Sequence, residues 1–177
     1  VAAIYDTVRD RMVIWGGQDS VGYVTDTWTL SLSGAPVWTR MGAVGSPPRR
    51  RGHSAIYDPS GDRMVVFGGE NDVNPRLNDT WTLPFRTGGG WGQLATSGST
   101  PTGRRNHTAI YDPVRRRMIV FAGVGSLTSD ARVYALALTG SPVWSFIGAA
   151  PGLPIREWSA AIYDEKRDRM VIFGGYQ

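Results

Sequence analysis

Cysteine is absent from the 177-residue chain, and lysine occurs once, at Lys166. Without cysteine the chain has no disulfide bond, no thiol nucleophile and no thiolate ligand for a metal, and the redox compartment stays undecided. The other cationic side chains are arginines, and the formal net charge is +4. A charge of this size attracts anions weakly and specifies no partner.

Long apolar runs are absent too. No stretch approaches the roughly 18 apolar residues of a transmembrane helix, and the first residues lack a secretory signal pattern, so we expect no membrane span. A helical period is nowhere sustained, and 23 glycines and 11 prolines punctuate the chain. Short runs bounded by turn residues are typical of strands, so the sequence predicts an all-β protein.

The chain instead contains one segment four times over. Ala-Ile-Tyr-Asp begins at Ala3, Ala55, Ala109 and Ala161, at spacings of 52, 54 and 52 residues. A polar turn and an apolar run that begins with Arg-Met and ends in Gly follow each copy. From the first Ala to that last Gly is 14 residues in all four copies. A fixed period of this length is typical of repeat architectures.

Each repeat predicts a four-stranded antiparallel meander. In the second copy the strands are expected at residues 53–58, 63–67, 79–83 and 91–95, between turns rich in Gly and Pro. Strand 63–67 is apolar throughout after Arg63, which indicates burial on both faces. In the first copy we expect strands near residues 1–6, 11–16, 27–32 and 36–41.

Several motifs in these copies resemble the Kelch repeat. They are Arg-x-x-His-Ser-Ala from Arg50, a Gly-Gly pair, Asn-Asp-x-Trp from Asn78, and a second Trp ten residues after the first. The resemblance implies β-propeller blades around a central channel, with the His-Ser-Ala strand innermost. The motif glycines are Gly16, Gly17, Gly68, Gly69, Gly123, Gly174 and Gly175, and the motif aromatics are Trp28, Trp81 and Tyr134 in the third strand and Trp38, Trp91 and Trp144 in the fourth.

The resemblance covers the whole chain and divides it into about three and a half blades. These are residues 1–49, 50–103 and 104–155, followed by a half blade at 156–177. We expect Trp28, Trp81 and Tyr134 to lie buried between blades. Because propellers close with more blades than this, the ring is incomplete. The remaining blades are expected from a longer chain, or from an assembly partner.

Arginines precede the innermost strand of three repeats. Arg50, Arg104 and Arg156 align, and Arg49, Arg51 and Arg105 flank them. We expect them at one mouth of the channel, where guanidinium groups bind carboxylates bidentately. Kelch adaptors that capture acidic peptides use Arg at this place, so the resemblance implies an acidic-ligand site. The alternative is that the aligned three bind backbone carbonyls or a neighbouring blade's Asp.

Other repeat positions carry polar or aromatic side chains. Trp158 replaces Gly52 at the mouth and is expected either to stack on a ligand or to pack against an adjacent blade. His53 and His107 are expected to make structural hydrogen bonds, because other copies have Val1 and Ser159 in their place. The Asp58 and Arg63 pair and its equivalents are predicted to stabilise the first turn of each repeat. A second set is expected to tie the third strand to the loop by bonds to the backbone: Asp26, Asp79 and Asp130.

Catalytic and cofactor motifs are missing. No phosphate-binding glycine loop, zinc-binding HExxH or serine nucleophile elbow occurs, and copper oxidases of Kelch-like fold need a Cys that this chain lacks. The oxygen-rich loop 70–74 resembles a calcium loop only loosely, and a solvated loop is favoured. The arginine runs 49–51 and 115–117 fall at opposite ends of a blade, which disfavours nucleic acid. We therefore expect no catalytic residue, cofactor or metal.

The function favoured is a non-catalytic Kelch module that binds a protein or peptide, with an acidic ligand at the arginine mouth. A structural or cell-surface component assembled from blades is the alternative, and an accessory domain of a secreted carbohydrate-active enzyme is the weaker one. The arginine bias is typical of GC-rich genomes. We also expect a bacterial protein, and a secreted or cell-surface location is favoured.

Overall fold

The computed structural model describes residues 1–86, 89–125, 131–150, 152–153 and 156–176. No helix occurs in these residues, and so none that is long and apolar enough to cross a membrane. The strands of the first half are β1 (Ala2–Asp6), β2 (Arg11–Trp15), β3 (Thr27–Ser31), β4 (Trp38–Arg40), β5 (Ser54–Asp58), β6 (Arg63–Gly69), β7 (Leu77–Pro84) and β8 (Gly92–Gln93). Those of the second half are β9 (Ser97–Gly98), β10 (Arg104–Arg105), β11 (Thr108–Asp112), β12 (Arg117–Phe121), β13 (Val124–Gly125), β14 (Arg132–Ala137), β15 (Val143–Ala149), β16 (Ala160–Asp164) and β17 (Arg169–Phe173).

The main sheets are the predicted meanders. Strand order is β1-β2-β3-β4 in the first blade, β5-β6-β7-β8 in the second and β11-β12-β14-β15 in the third, all antiparallel, and β16 pairs with β17. The first strands of successive blades, β1, β5, β11 and β16, are neighbours in that order and form the inner wall of an open arc. The outer strands β4 and β8 are shorter than predicted.

One strand pairing lies outside the repeat pattern. Strand β9, in the linker before the third blade, runs parallel to β15 and adds a fifth strand at the outer edge of that sheet. Its register places Ser97 opposite Val143 and Gly98 opposite Trp144. The linker thereby covers backbone groups that an edge strand would leave unpaired.

The first turn of every blade carries the predicted Asp and Arg pair. The Arg Nε donates to the Asp carboxylate across the turn in all four copies. The distances are 2.8 Å for Arg11 and Asp6, 2.8 Å for Arg63 and Asp58, 2.8 Å for Arg117 and Asp112, and 3.1 Å for Arg169 and Asp164. The Asp side chain also accepts backbone N–H groups within the turn, as Asp58 does from Ser60 and Gly61. The pair therefore stabilises the turn, as expected.

The core lies between blades, with strand β6 at its centre. Met64 and Val66 pack toward the first blade, against Val13 and Trp15, while Val65 and Phe67 pack toward the third. All four of these β6 side chains are fully buried. A strand between two neighbouring blades must be apolar on both faces, and this explains the uninterrupted apolar run.

The repeated aromatics are not buried as predicted. Tyr134 is buried, but Trp28 and Trp81 are only half-buried. The Trp81 Nε1 donates to Asp79 at 2.6 Å, which keeps one edge of the indole beside a partly exposed carboxylate. The prediction is therefore wrong for Trp28 and Trp81.

Fourth-strand tryptophans make the contacts between blades instead. Trp91 packs on Trp15 of the preceding blade with ring centroids 4.9 Å apart, and Trp144 packs on Phe67 at 4.8 Å. Trp91 and Trp144 are both buried. Trp38, their counterpart in the first blade, is half-exposed.

Candidate functional site: the channel mouth

The aligned arginines Arg50, Arg104 and Arg156 lie where the second strand of each blade ends. Each donates its Nη1 to the backbone carbonyl 18 residues further on. The acceptors are Gly68 at 3.0 Å, Ala122 at 2.9 Å and Gly174 at 2.9 Å. The structure thus places all three at the same end of their blades, which we call the channel mouth.

Arg50 and Arg104 are fully buried there. The Arg50 guanidinium grips Asp79 of its own blade with contacts of 2.5 and 2.8 Å, and Arg104 lies over the Tyr134 ring at 5.1 Å. Neither side chain meets solvent. The expectation that they contact a ligand is therefore wrong, and both instead stabilise their own blade. Arg156 is half-buried.

Asp79 is the anionic half of this buried pair. Desolvation acts to raise the pKa of Asp79, but hydrogen bonds and charge attraction from Arg50 outweigh it and hold the pKa below its ordinary value. We expected Asp79 to bond to the backbone. That expectation is wrong, because the partner of Asp79 is the arginine side chain. Its counterpart Asp26 lies 3.5 Å from Arg40, and Asp130 lies outside the described residues.

A chain of backbone hydrogen bonds crosses the mouth from blade to blade. Trp158 N–H donates to the carbonyl of Asn106 at 2.9 Å, and Asn106 N–H donates to that of Gly52 at 2.7 Å. All three residues have left-handed backbones, with φ of 63° at Gly52, 56° at Asn106 and 56° at Trp158. Gly and Asn adopt this conformation readily, whereas a bulky residue rarely does.

The Trp158 side chain is 67% exposed. It lines a cavity of about 460 Å³ together with Arg51, Gln18, His53 and other residues of the mouth. The equivalent position in the second blade, Gly52, faces Asn106 and Arg105 of the next blade, so packing of Trp158 against an adjacent blade stays a prediction beside the ligand contact. A strained, exposed Trp at a concave surface is a candidate contact for a ligand.

The flanking arginines meet at one carboxylate. Glu70 Oε1 accepts from Arg51 Nε at 2.8 Å, and Glu70 Oε2 accepts from Arg105 Nη1. Arg51 also donates to the Gln18 side chain, and its guanidinium lies 5.5 Å from the Tyr23 ring centroid. Arg49, further out, pairs with Asp72 at 2.8 Å. These contacts join three successive blades, and they leave Arg51 and Arg105 partly exposed.

The two histidines are buried beneath the mouth. His53 Nε2 donates to the carbonyl of Trp15 at 3.2 Å, and His107 Nε2 lies 2.8 Å from Ser54 Oγ. Burial, and then nearby positive charge, lowers the pKa of each imidazole to about 3. Both are therefore neutral near pH 7 and bond across blade junctions, as expected of a structural role.

Two loops at the mouth display aliphatic tips. In each, a side-chain oxygen accepts two backbone N–H groups: Asp19 from Val21 and Gly22, and Asn71 from Val73 and Asn74. These bonds fix matching turns whose tips, Val21 and Val73, are 94% and 93% exposed. In the loop compared with a calcium site, Glu70, Asn71 and Asp72 all have protein partners, and the described residues contain no metal-binding acidic or histidine cluster.

Sequence reasoning missed Glu70 and the valine tips. Val21 and Val73 stand 52 residues apart, one repeat period, so their recurrence was a usable signal. Glu70 gave none, because its counterparts in the other copies are Gln18, Val124 and Tyr176. Only the fold shows that it lies between two arginines from different blades.

Comparison with known proteins places the chain in a family. The family described as the KLHDC2/KLHL20/DRC7 Kelch-repeats domain matches residues 1–177, and the chain belongs to it. Putative adagio-like protein 2 of Oryza sativa subsp. japonica is 31% identical over 93% of this chain and 28% of its own length. Host cell factor 1 of Rattus norvegicus is 30% identical over 98% of this chain and 9% of its own length.

A solved structure, that of YjhT, has the same fold. It superposes with a TM-score of 0.69 at 17% sequence identity, over 90% of this chain and 52% of the other. The fold is therefore a Kelch β-propeller arc, as the motifs predicted. The chain spans 28% to 37% of the length of three curated relatives, all from plants. These relatives are eukaryotic, so the expectations of a bacterial source and of secretion or surface location find no support.

Proposed function

We propose that this Kelch domain is a non-catalytic module that binds a protein or peptide partner across the channel mouth. Kelch-repeat domains typically mediate contacts between proteins, and the family membership supports that role. The mouth also has the features of a contact surface: an exposed Trp, partly exposed arginines and two aliphatic tips around a cavity.

Trp158 is the observation that carries the proposal. The equivalent positions hold Gly52 and Asn106, residues that tolerate a left-handed backbone, whereas Trp158 at φ 56° pays a conformational cost of about 1 kcal/mol. Its indole is 67% exposed within the described residues, which end in this half blade. We propose that a ligand at the channel mouth contacts this indole.

Arg51 and Arg105 supply the charge preference of the proposed site. Both guanidinium groups reach solvent at the mouth, unlike Arg50 and Arg104. Guanidinium groups favour carboxylates, so we propose that the partner presents an acidic segment there. Val21 and Val73, on the rim, would then be covered by apolar parts of the partner.

Peptide selection tests this function. A phage-displayed random peptide library is selected on the intact chain, and the enriched peptides are synthesised and titrated by fluorescence anisotropy. We expect Trp158→Ala to weaken their binding about 30-fold, because central Trp contacts are worth roughly 2 kcal/mol or more. Enriched peptides should also be acidic and should bind less tightly in added salt.

Trp38→Ala is the matched control, since Trp38 is a half-exposed Trp on the outer strand of the first blade. It should leave peptide affinity unchanged. Selected peptides that bind Trp158→Ala as tightly as the original protein would contradict the proposed site, and a selection that yields no binder would contradict the function.

A further inference from the structure

We propose that Arg51 and Arg105 form a carboxylate-binding site that Glu70 occupies in the free protein, and that an acidic ligand binds by taking the place of Glu70. The inference rests on the proposed function and adds an internal competitor to it. Its basis is the placement of one buried carboxylate between two accessible guanidinium groups that belong to different blades.

The carboxylate is less exposed to solvent than the two guanidinium groups that bind it. Glu70 is 9% exposed at its side chain, whereas Arg51 and Arg105 are 46% and 32% exposed. Solvent therefore reaches the donors more easily than the carboxylate they hold. An approaching carboxylate meets the arginines directly, and it competes for the same N–H groups that Glu70 accepts from.

The blade architecture does not require this carboxylate. The Glu70 backbone pairs with that of Arg51 through bonds of 2.9 and 3.0 Å, and Gly69 before it, at φ 99°, is needed because a Cβ there would lie 2.7 Å from the Arg51 carbonyl. In the third blade the same bridge forms between Arg105 and Val124. An aliphatic residue thus serves equally well, and the Glu70 charge is a local addition.

The buried pair in the same blade has a different arrangement. Arg50 is fully buried and grips Asp79 through two nitrogens, while each nitrogen of the Glu70 cluster comes from a separate arginine. Arg50 has no exposed surface from which a ligand could displace Asp79, although Asp79 itself is partly exposed. The Arg51, Glu70 and Arg105 cluster can be reached, and its net charge of one positive unit leaves attraction for a second carboxylate.

Removing the Glu70 charge should therefore strengthen binding of acidic ligands. In the Glu70→Gln variant the two arginines keep a neutral acceptor but lose both the competitor and its repulsion of an incoming anion. A charge interaction at this range near the surface corresponds to about a tenfold change in affinity. We expect a Glu70→Gln protein to bind an acidic peptide about tenfold more tightly than the original.

The probes are two fluorescein-labelled peptides, one of four consecutive glutamates and one of four glutamines, measured by anisotropy. Glu70→Gln should tighten binding of the glutamate peptide and should not tighten binding of the glutamine peptide. Glu70→Val, which copies Val124 of the third blade, should do the same. It tests the inference if Glu70→Gln fails to fold. Adding Arg51→Gln to Glu70→Gln should abolish the gain. Glu165→Gln, at an exposed Glu on the turn between β16 and β17, is the charge-matched control and should change nothing.

The outcomes separate this inference from the proposed function. If the original protein binds the glutamate peptide and folded Glu70 variants bind it equally or less tightly, the inference is wrong and the function stands. Binding by the Glu70 variants alone supports the inference and shows that the free site is closed to simple acidic peptides. No binding by any of the proteins overturns the inference, while peptides selected on the mouth still test the function.

Discussion

At the residue scale, burial distinguishes the mouth arginines that hold the blade together from those that reach solvent. Arg50 and Arg51 are adjacent in sequence, yet the first is buried on Asp79 and the second is partly exposed at Glu70. Buried ion pairs are costly to break, because the remaining charge has no water to stabilise it. Arg50 therefore maintains the fold, whereas the proposed exchange of carboxylates concerns Arg51.

Sequence alone could place all of these arginines at one end of the blade but could not sort them. A repeated spacing is produced equally by a structural contact and by a ligand-binding ring. What distinguishes Arg50 is a carboxylate 29 residues away, and what distinguishes Arg51 is a side chain from the preceding blade, Gln18. Both distinctions depend on contacts between segments far apart in the chain.

The buried histidines predict acid sensitivity. In the unfolded chain an imidazole titrates near 6.5, whereas the pKa of His53 and of His107 is about 3 in the fold. The unfolded state thus binds more protons between pH 6.5 and 3, and stability is lost as the pH falls through that window. Arg50 faces His53, and Arg104 faces His107, so both environments oppose protonation.

We expect the free energy of unfolding to fall by up to about 1.4 kcal/mol per pH unit for each histidine. Urea unfolding at several pH values between about 7 and 4 measures this slope. His107→Gln should reduce the slope relative to the original chain. An equal slope in both proteins would show that other groups, such as carboxylates, dominate.

At the element scale, the strands follow from the sequence pattern and the outer-edge pairing does not. Apolar runs bounded by polar turns that begin with Asp and by Gly pairs located β1, β2, β5 and β6 within two residues. Strand β9 has only two residues, and no repeated sequence pattern predicts its parallel pairing with β15. The burial of Trp144 likewise depends on Phe67, in the preceding blade.

Truncation of fourth-strand tryptophans should reveal the blade junctions. Trp144→Ala removes a buried ring packed on Phe67 and should cost about 3–5 kcal/mol of unfolding free energy. Trp38→Ala, at the half-exposed counterpart, should cost much less, and half-buried Trp81→Ala should fall between the two. Urea unfolding followed by circular dichroism ranks the three. Equal losses for Trp38→Ala and Trp144→Ala would contradict the packing described.

At the scale of the whole molecule, the junctions between blades differ in their ion pairs. Arg9 of the first blade grips Asp62 of the second at 2.9 and 2.7 Å, and Arg115 of the third grips Asp168 of the fourth at 2.8 and 2.6 Å. At the middle junction Gly61 and Arg116 occupy these positions. That junction has instead a bond from Arg63 to the Leu138 carbonyl, at 3.2 Å, together with aromatic packing and, at the mouth, the Arg105 and Glu70 ion pair.

Arg9→Gln should loosen the first junction. The loss of two charge-assisted hydrogen bonds to a buried carboxylate predicts a cost of about 1–2 kcal/mol, moderated by the partial exposure of Arg9. Arg116→Gln is the control, because Arg116 is exposed and has no ion pair within the described ranges. Hydrogen exchange of β1 and β2 should quicken in Arg9→Gln and not in the control. Unchanged exchange in both would show that apolar packing alone holds the junction.

The backbone bonds that run through Gly52, Asn106 and Trp158 also bear on how such a chain diversifies. These bonds use only main-chain N–H and carbonyl groups, but the left-handed backbone restricts which side chains fit, and a Cβ at Gly52 would lie 2.6 Å from Asn106 Oδ1. The same backbone contact recurs once per repeat, from Gly52 to Asn106 and from Asn106 to Trp158. One shared main-chain contact therefore carries no side chain, an amide and an indole in successive blades, so the chemistry of the mouth differs from blade to blade.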